Sequence, residues 1–201
     1  GVYSWYGQVR NCLIAGNSAT NTGGGQHATY VVEQNCTFSG NVASNYGGGL
    51  CVTNRCVLTN VVAYGNLAAS GSNYWALSTN CIFGYCVSSP LLAGTSNLDI
   101  DPLFAGAGDY SLAANSPCVD SGANQGWMAA GADLDGKPRI LNAVADRGAY
   151  ELIPPSWDSN TNGMPDWWEW AYSHNMTGMA ARADNDGDDF VNLDEYYAGT
   201  I

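Results

Sequence analysis

Four short stretches of the chain share one hydrophobic rhythm. In each, a cysteine is followed two residues later by a bulky apolar side chain: Cys12/Ile14, Cys36/Phe38, Cys56/Leu58 and Cys81/Phe83. A period of two belongs to a strand and puts both members of a pair on one face. The intervening residues are too rich in Asn and Gly for helix pairs. The pattern predicts short strands joined by tight turns.

The strands recur. Asn11–Gly25, NCLIAGNSATNTGGG, and Asn35–Gly49, NCTFSGNVASNYGGG, are offset by 24 residues and share nine of fifteen positions. Self-similarity at such a period marks a stacked-repeat architecture. Weaker copies place Cys56 and Cys81 at further spacings of 20 and 25 residues. A parallel β-helix fits, each turn adding a rung about 4.8 Å from the last. The four cysteines are expected to form one inward ladder. The GGG runs are expected where the coil bends or backbones crowd together. Gly1 precedes Asn11 by ten residues, as Gly25 precedes Asn35. The register therefore predicts a chain that starts inside a coil, as a fragment of a longer solenoid.

Composition agrees with a β-rich chain: charged residues are 12% of it, and glycines number 25. The formal net charge of −12 argues against a nucleic-acid partner, which needs a basic patch. Residues 1–152 hold 9 acidic and 5 basic groups, whereas residues 153–201 hold 9 acidic and 1 basic. The smaller part is the more acidic per residue, and a cation is its obvious counterweight. No apolar run approaches the roughly 18 residues a membrane span requires.

GGGL at Gly47–Leu50 and FSGN at Phe38–Asn41 resemble the GGA-I and F-x-x-N repeats of polymorphic outer-membrane proteins, right-handed β-helix proteins of bacterial surfaces. DPLF (Asp101–Phe104), DYSLAANSPCVDSG (Asp109–Gly122), DLDGKPR (Asp133–Arg139) and DRGAYE (Asp146–Glu151) resemble the closing segment of the choice-of-anchor Q family. The resemblance implies a mainly β, right-handed parallel β-helix (solenoid) over 1–152, secreted or at the cell surface. It implies no catalytic activity. The closing segment is expected to cover the last coil, because an open coil end is a row of unpaired strand groups. Asp120, Asp133, Asp135 and Asp146 are read as turn formers rather than a catalytic cluster, since Asp beside Ser, Gly or Pro makes side-chain-to-backbone turns.

After a short linker at Pro154-Pro155-Ser156, Asp158–Glu169 reads DSNTNGMPDWWE. It matches the calcium-loop pattern D-x-[DN]-x-[DN]-G-x5-E. Calcium takes six to eight oxygens, supplied at places 1, 3, 5, 7, 9 and 12. Asp158, Asn160 and Asn162 fill the first three, Gly163 gives the sharp turn, Met164 offers its carbonyl, Asp166 is ninth and Glu169 twelfth. The second copy, Asp184–Glu195, supplies Asp184, Asp186, Asp188, the Phe190 carbonyl, Asn192 and Glu195. It departs at Asp189, which stands where glycine is expected; Asp tolerates a left-handed backbone better than most residues. The tandem resembles dockerin-like and related EF-hand-like calcium modules of secreted bacterial proteins. Residues 153–201 are thus expected to form a small α/loop module holding two calcium ions. Short helices are expected near Pro165–Ser173 and Asn192–Ala198, the second capped by Gly199. Trp157, Trp167, Trp168 and Trp170 are read as core of that module, with sugar stacking the other reading.

Catalytic material is thin on the coils. Residues 1–98 offer Arg10, Arg55, Glu33 and His27 and no Asp, at positions that do not recur between repeats. His27 is read as a packed polar residue and His174 as a surface group. The seven cysteines lack C-x2-C spacing, so zinc is not expected. Cys51–Cys56 and Cys81–Cys86 are open as disulfide pairs. The expectation is an extracellular structural, adhesive or assembly protein, stabilised by calcium. Its partners would be other protein subunits or surface glycans, with head-to-tail self-association through the β-helix end. The alternative is the tail of a polysaccharide lyase or glycoside hydrolase whose active site lies upstream.

Overall fold

A computed structural model describes residues 1–200. The chain divides into two compact units, Gly1–Leu152 and Ile153–Ile201. The first is a mainly β, parallel β-solenoid. Coil 1 holds β1 (Val2–Arg10), β2 (Leu13–Ala15) and β3 (Ser18–Ala19). Coil 2 holds β4 (Gln26–Gln34), β5 (Thr37–Ser39) and β6 (Val42–Ala43). Coil 3 holds β7 (Leu50–Thr53), β8 (Val57–Thr59) and β9 (Val62–Tyr64), and coil 4 holds β10 (Tyr74–Ala76), β11 (Ile82–Gly84) and β12 (Val87–Ser88). One wall stacks β1, β4, β7 and β10, with β8 and β11 continuing it beyond the bend in β4. A second wall stacks β2, β5, β9 and β12. All of these pairings are parallel.

The register corrects the single cysteine ladder. Leu13 pairs with Thr37, Thr37 with Val62 and Val62 with Val87. The rung preceding each of these pairs is therefore Cys12, Cys36, Val61 and Cys86. Cys56 and Cys81 belong to the other wall, because Val57 pairs with Val32 and with Ile82. The spacing of 20 residues from Cys36 to Cys56 runs from the second wall of coil 2 to the first wall of coil 3 and is not a rung. All four predicted cysteines still border the same core, with Ile14, Phe38, Leu58 and Phe83. All seven cysteines are free thiols.

Three devices set the coil. The first is the corner between the walls, where Asn11, Asn35, Asn60 and Tyr85 have φ of 47°, 52°, 57° and 56°. Asn enters this left-handed region more readily than other non-glycine residues. The second is the glycine run. A Cβ on Gly24 would collide with the carbonyl oxygens of Gly48 and Val42, and one on Gly25 would lie 2.5 Å from that of Gly49. Only glycine lets the coils approach there. The third is a column of asparagines. Asn17 donates its backbone N–H and its Nδ2 to Asn41 Oδ1, at 2.9 and 3.0 Å. Asn41 donates the same two groups to Asn66 Oδ1, and Asn66 to Asn73 Oδ1. Asn41 Nδ2 also reaches the Ile14 carbonyl and Asn66 Nδ2 the Phe38 carbonyl. A buried amide is tolerated when its donors and acceptor are satisfied.

After coil 4 the chain forms a hairpin, β13 (Phe104–Gly106) with β14 (Asp109–Leu112). The closing segment then departs from its expected place. It runs along the flank of the coils and does not close only the last one. Asn11 Nδ2 donates to the Ala132 carbonyl, and Gln34 Nε2 to Gln125. Asn60 exchanges hydrogen bonds with Ala123, and Arg147 donates to the carbonyls of Cys86 and Ser96. These partners belong to coils 1, 2, 3 and 4 and the turn beyond. The corner amides of the coils offer hydrogen bonds outward, and the segment takes them up.

Candidate metal centre

In the closing segment the aspartates serve the backbone. Asp133 accepts from the N–H groups of Asp135, Lys137 and Glu151, and Asp146 from those of Asp120 and Leu152. Arg139 is fully buried and pairs with Glu151 at 3.2 Å. Burial pushes the Glu151 carboxyl up to about 9 against the pull of Arg139. On the coils, Arg10 is committed to Gln34 and to the face of Trp127. His27 bonds Thr22 and stacks on Tyr3, and Glu33 points into the lumen. These groups do not converge.

The second unit contains α1 (Asp166–Ser173) and α2 (Asn192–Ala198), and Gly199 ends α2 at φ 71°. Its small core joins Met164, Trp168 and Met179, with Leu193 and Tyr196 against them. Trp168 is thus core, whereas Trp167 is exposed. His174 is exposed and ends α1 in the left-handed region.

The two acidic loops share much of their turn hydrogen bonding at an offset of 26. Asp158 accepts from the N–H groups of Asn162 (3.1 Å) and Gly163 (2.9 Å). Asp184 accepts from those of Asp188 (3.3 Å) and Asp189 (2.9 Å). Asn160 Oδ1 accepts from Asn162 and Asp186 Oδ1 from Asp188. Asn162 Oδ1 accepts from Met164 and Asp188 Oδ1 from Phe190. The left-handed positions also repeat: Thr161 (56°) with Gly187 (84°), and Gly163 (91°) with Asp189 (75°). Each loop thus has two left-handed places and one glycine, spent on a different one.

Within the first loop, one carboxylate oxygen each from Asp158, Asp166 and Glu169 lie within 4.8 Å of one another. In the second, Asp184, Asp186 and Asp188 do so. Asn160 turns its Nδ2 to both Glu169 oxygens, at 3.2 and 3.3 Å. Asp166 opens α1 and takes the N–H and hydroxyl of Ser159. Met164 buries its side chain in the core, while Phe190 is 61% exposed. Glu195 stands outside the second triad, buried, its pKa raised by burial and by Asp186, Asp188 and Asp184. Glu169 is raised by its burial. Hydrogen bonds from Gly187, Asp189 and Asp188 lower Asp184.

These residues fit a hard cation. All three ion pairs among the described residues lie within 133–151, so none reaches the loops. Glu195 Oε1 and Asn192 Oδ1 are buried acceptors with no hydrogen-bond donor. An unpaired buried acceptor of this kind is costly to leave without a donor. Oxygen-only donor sets select calcium or magnesium over the softer metals. In the lumen of the coils sequence reading missed Gln26 and the inward direction of Glu33, which need the rung register to be seen. No family model, no curated protein and no solved structure matches the chain.

Proposed function

We propose that the chain is an extracellular scaffold or adhesive protein: a right-handed β-solenoid of the bacterial surface type, joined to a dockerin-like module that two calcium ions hold together. One observation carries the reading. Two loops with the same backbone turns gather carboxylates within 4.8 Å, in a unit with a core of a few side chains. Such a unit needs staples, and its excess negative charge needs a counter-ion. Calcium titration by calorimetry tests it. Two sites are expected in the native chain and one each in Glu169→Gln and Glu195→Gln. An absence of heat at millimolar calcium overturns the reading.

The solenoid supplies the assembly part of the proposal. β10 pairs only with β7 and so presents a free strand edge. Head-to-tail stacking of a coil of a second copy on that edge would continue the rungs, and such heterologous contacts propagate into filaments. Sizing and negative-stain imaging across a concentration series would show oligomers growing; a strict monomer at high concentration counts against assembly.

A further inference from the structure

The chain that leaves coil 4 covers part of that coil and misses one strand. Gly84 pairs with Thr95 and Val87 with Leu98, so the end of β11 and the second wall gain a further rung. Leu92 is buried in the core with Phe83. Ser89 passes one end of β10, where its carbonyl accepts from Asn73 Nδ2 at 2.7 Å. β10 itself pairs only with β7. In that pairing the Leu50 N–H donates to the Asn73 carbonyl and the Leu77 N–H to the Val52 carbonyl. A parallel ladder engages alternate residues of each strand. Asn73, Trp75 and Leu77 therefore face β7, and the N–H and C=O groups of Tyr74 and Ala76 face away from it. Among the described residues nothing bonds those four groups. Folded proteins blunt such an edge with a charge, a proline or a cover. Tyr74-Trp75-Ala76 has neither charge nor proline.

Two cavities flank this edge. Tyr74 and Ala76 line both, so the strand edge is the ridge between them. The lumen-side cavity, of about 380 Å³, is mostly apolar and takes in Leu77, Phe83 and Leu92. The outer one, of about 720 Å³, takes in Trp75, Ser72, Ser89 and Asp99. Trp75 points outward because Tyr74, next to it on the strand, packs against the core. Its ring rests on Tyr46, with centroids 5.0 Å apart. Gly71 makes room for it, since a Cβ there would lie 2.9 Å from Trp75 Cε3. Asp99 is in no ion pair among the described residues, and no basic residue lines the cavity. An indole face and an unpaired carboxylate in one cavity both attract a cation.

We propose that β10 is a docking edge for an extended peptide segment of a partner protein, with an apolar–basic–apolar pattern. A strand laid parallel to β10 continues the rungs of the first wall, and its side chains alternate between the two cavities. The residue level with Trp75 points outward; it is the basic one, its charge over the indole and toward Asp99. The residues level with Tyr74 and Ala76 point to the lumen side; they are apolar and meet Phe83 and Leu92. The backbone of the basic residue faces β10. Its N–H donates to the Tyr74 carbonyl, and its C=O accepts from the Ala76 N–H. Main-chain bonds supply the affinity and the two cavities supply the sequence preference. A small cation would use the outer cavity alone and leave the edge unpaired. The peptide shares its edge with the stacking of a second copy but does not depend on that stacking, because its binding is read on the monomer.

The test is fluorescence anisotropy of a labelled peptide, Thr-Val-Arg-Val-Thr blocked at both ends, with the full chain at a concentration where sedimentation shows a monomer. Saturable binding is expected. Exchanging the peptide's Arg for Glu is expected to weaken it about tenfold. Asp99→Asn is expected to weaken it about threefold. N-methylation of the Arg amide removes the bond to the Tyr74 carbonyl and is expected to cost about tenfold. N-methylation of the Val that follows, whose amide faces away from β10, is expected to leave binding within about twofold. This last pair leaves the protein untouched, so misfolding cannot produce the difference. A monomer that binds no peptide at millimolar concentration overturns the proposal, whether the edge is covered by the second unit or simply inert. Equal binding of the Arg and Glu peptides overturns it, and so does an equal loss from the two methylations.

Discussion

The solenoid and the end module both bury polar side chains against a repeating backbone, but they satisfy them in different ways. Along the asparagine column of the coils the buried group is a neutral amide. Asn41 accepts from Asn17 and donates to Asn66 and Ile14, so every rung completes the one before it. In the module the buried or gathered groups are carboxylates. Asp158 and Asp184 collect backbone N–H groups, yet Glu195 keeps an oxygen with no donor. An amide carries donor and acceptor together and can stack on its own kind. A carboxylate only accepts, and identical neighbours repel it. Stacked repeats can thus be closed by protein alone, whereas paired acidic loops call for something from outside the chain.

The largest expected effect separates the two units by metal. With calcium at about a thousand times its dissociation constant, each ion contributes about 4 kcal/mol to whatever it holds folded. For a unit of this size that corresponds to a fall of about 15 °C or more in melting midpoint on removal. Excess chelator is therefore expected to abolish or sharply lower one calorimetric transition and leave the other in place. Four of the seven tryptophans lie in the module, so the same loss should appear in their fluorescence. A single transition, indifferent to chelator, would erase the contrast.

The converse change is Asn41→Leu. It removes the donors to Ile14 and Asn66 and strands the amide of Asn17. Loss of a buried network of this kind costs about 3 kcal/mol. The transition that resists chelator should fall, and the calcium-dependent one should not move. If both moved together, the two units would share more than a chain.

A smaller effect comes from pH. Burial lifts Glu33 to about 8 in the folded coil, above the ordinary carboxyl value near 4.5. Between those limits the folded state holds a proton that the unfolded state has lost. The solenoid is therefore expected to lose stability as pH rises through this window and to level off above it. Glu151, raised to about 9, slopes the same way. The difference between the native chain and Glu33→Gln isolates the lumen group: the variant's melting midpoint should depend less steeply on pH from 5 to 8. Equal slopes would place Glu33 outside the folded-state titration.

How far these features could be read from the sequence depends on how local they are. The coil period, the glycine runs and the helix ends near Ser173 and Gly199 are written in short spacings, and the fold follows from them. The ladder of Cys56 was misplaced because rung register is not local. β4 runs from Thr29 to Val32 in three steps, while coil 3 takes four, from Thr53 to Val57, turning through Asn54 and Arg55. That one added residue stretches the rung offset from 24 to 25 within one wall, and the same Cys-x-apolar pattern stands on both sides of the Asn60 corner, so spacing alone does not tell which wall Cys56 belongs to. The third Gly-Asn pair, Gly65-Asn66, was a visible signal of the true rung spacing. The flanking course of the closing segment had no such signal, since its partners are corner groups more than 60 residues away. In the acidic loops the spacing of the candidate ligands was legible, whereas the lone Glu195 oxygen needed coordinates.

The smallest effect asks whether the two loops are equivalent. Both need a left-handed backbone at their sixth place; the first puts Gly163 there and the second Asp189. A non-glycine residue in that region costs about 1–2 kcal/mol, somewhat less for Asp. Glycine returns part of this gain through the greater freedom it gives the unfolded chain, about 0.4–1 kcal/mol. Asp189→Gly should thus raise the calcium-loaded melting midpoint of the module slightly, by about 2–4 °C. The reverse exchange should be worse than neutral. A Cβ on Gly163 would lie 3.3 Å from Leu193 Cδ1, so Gly163→Asp adds crowding to strain. The pair of measurements discriminates. If glycine at 189 lowers the midpoint, the Asp189 side chain is contributing something the backbone angle does not reveal, and the second loop is not a weaker copy of the first.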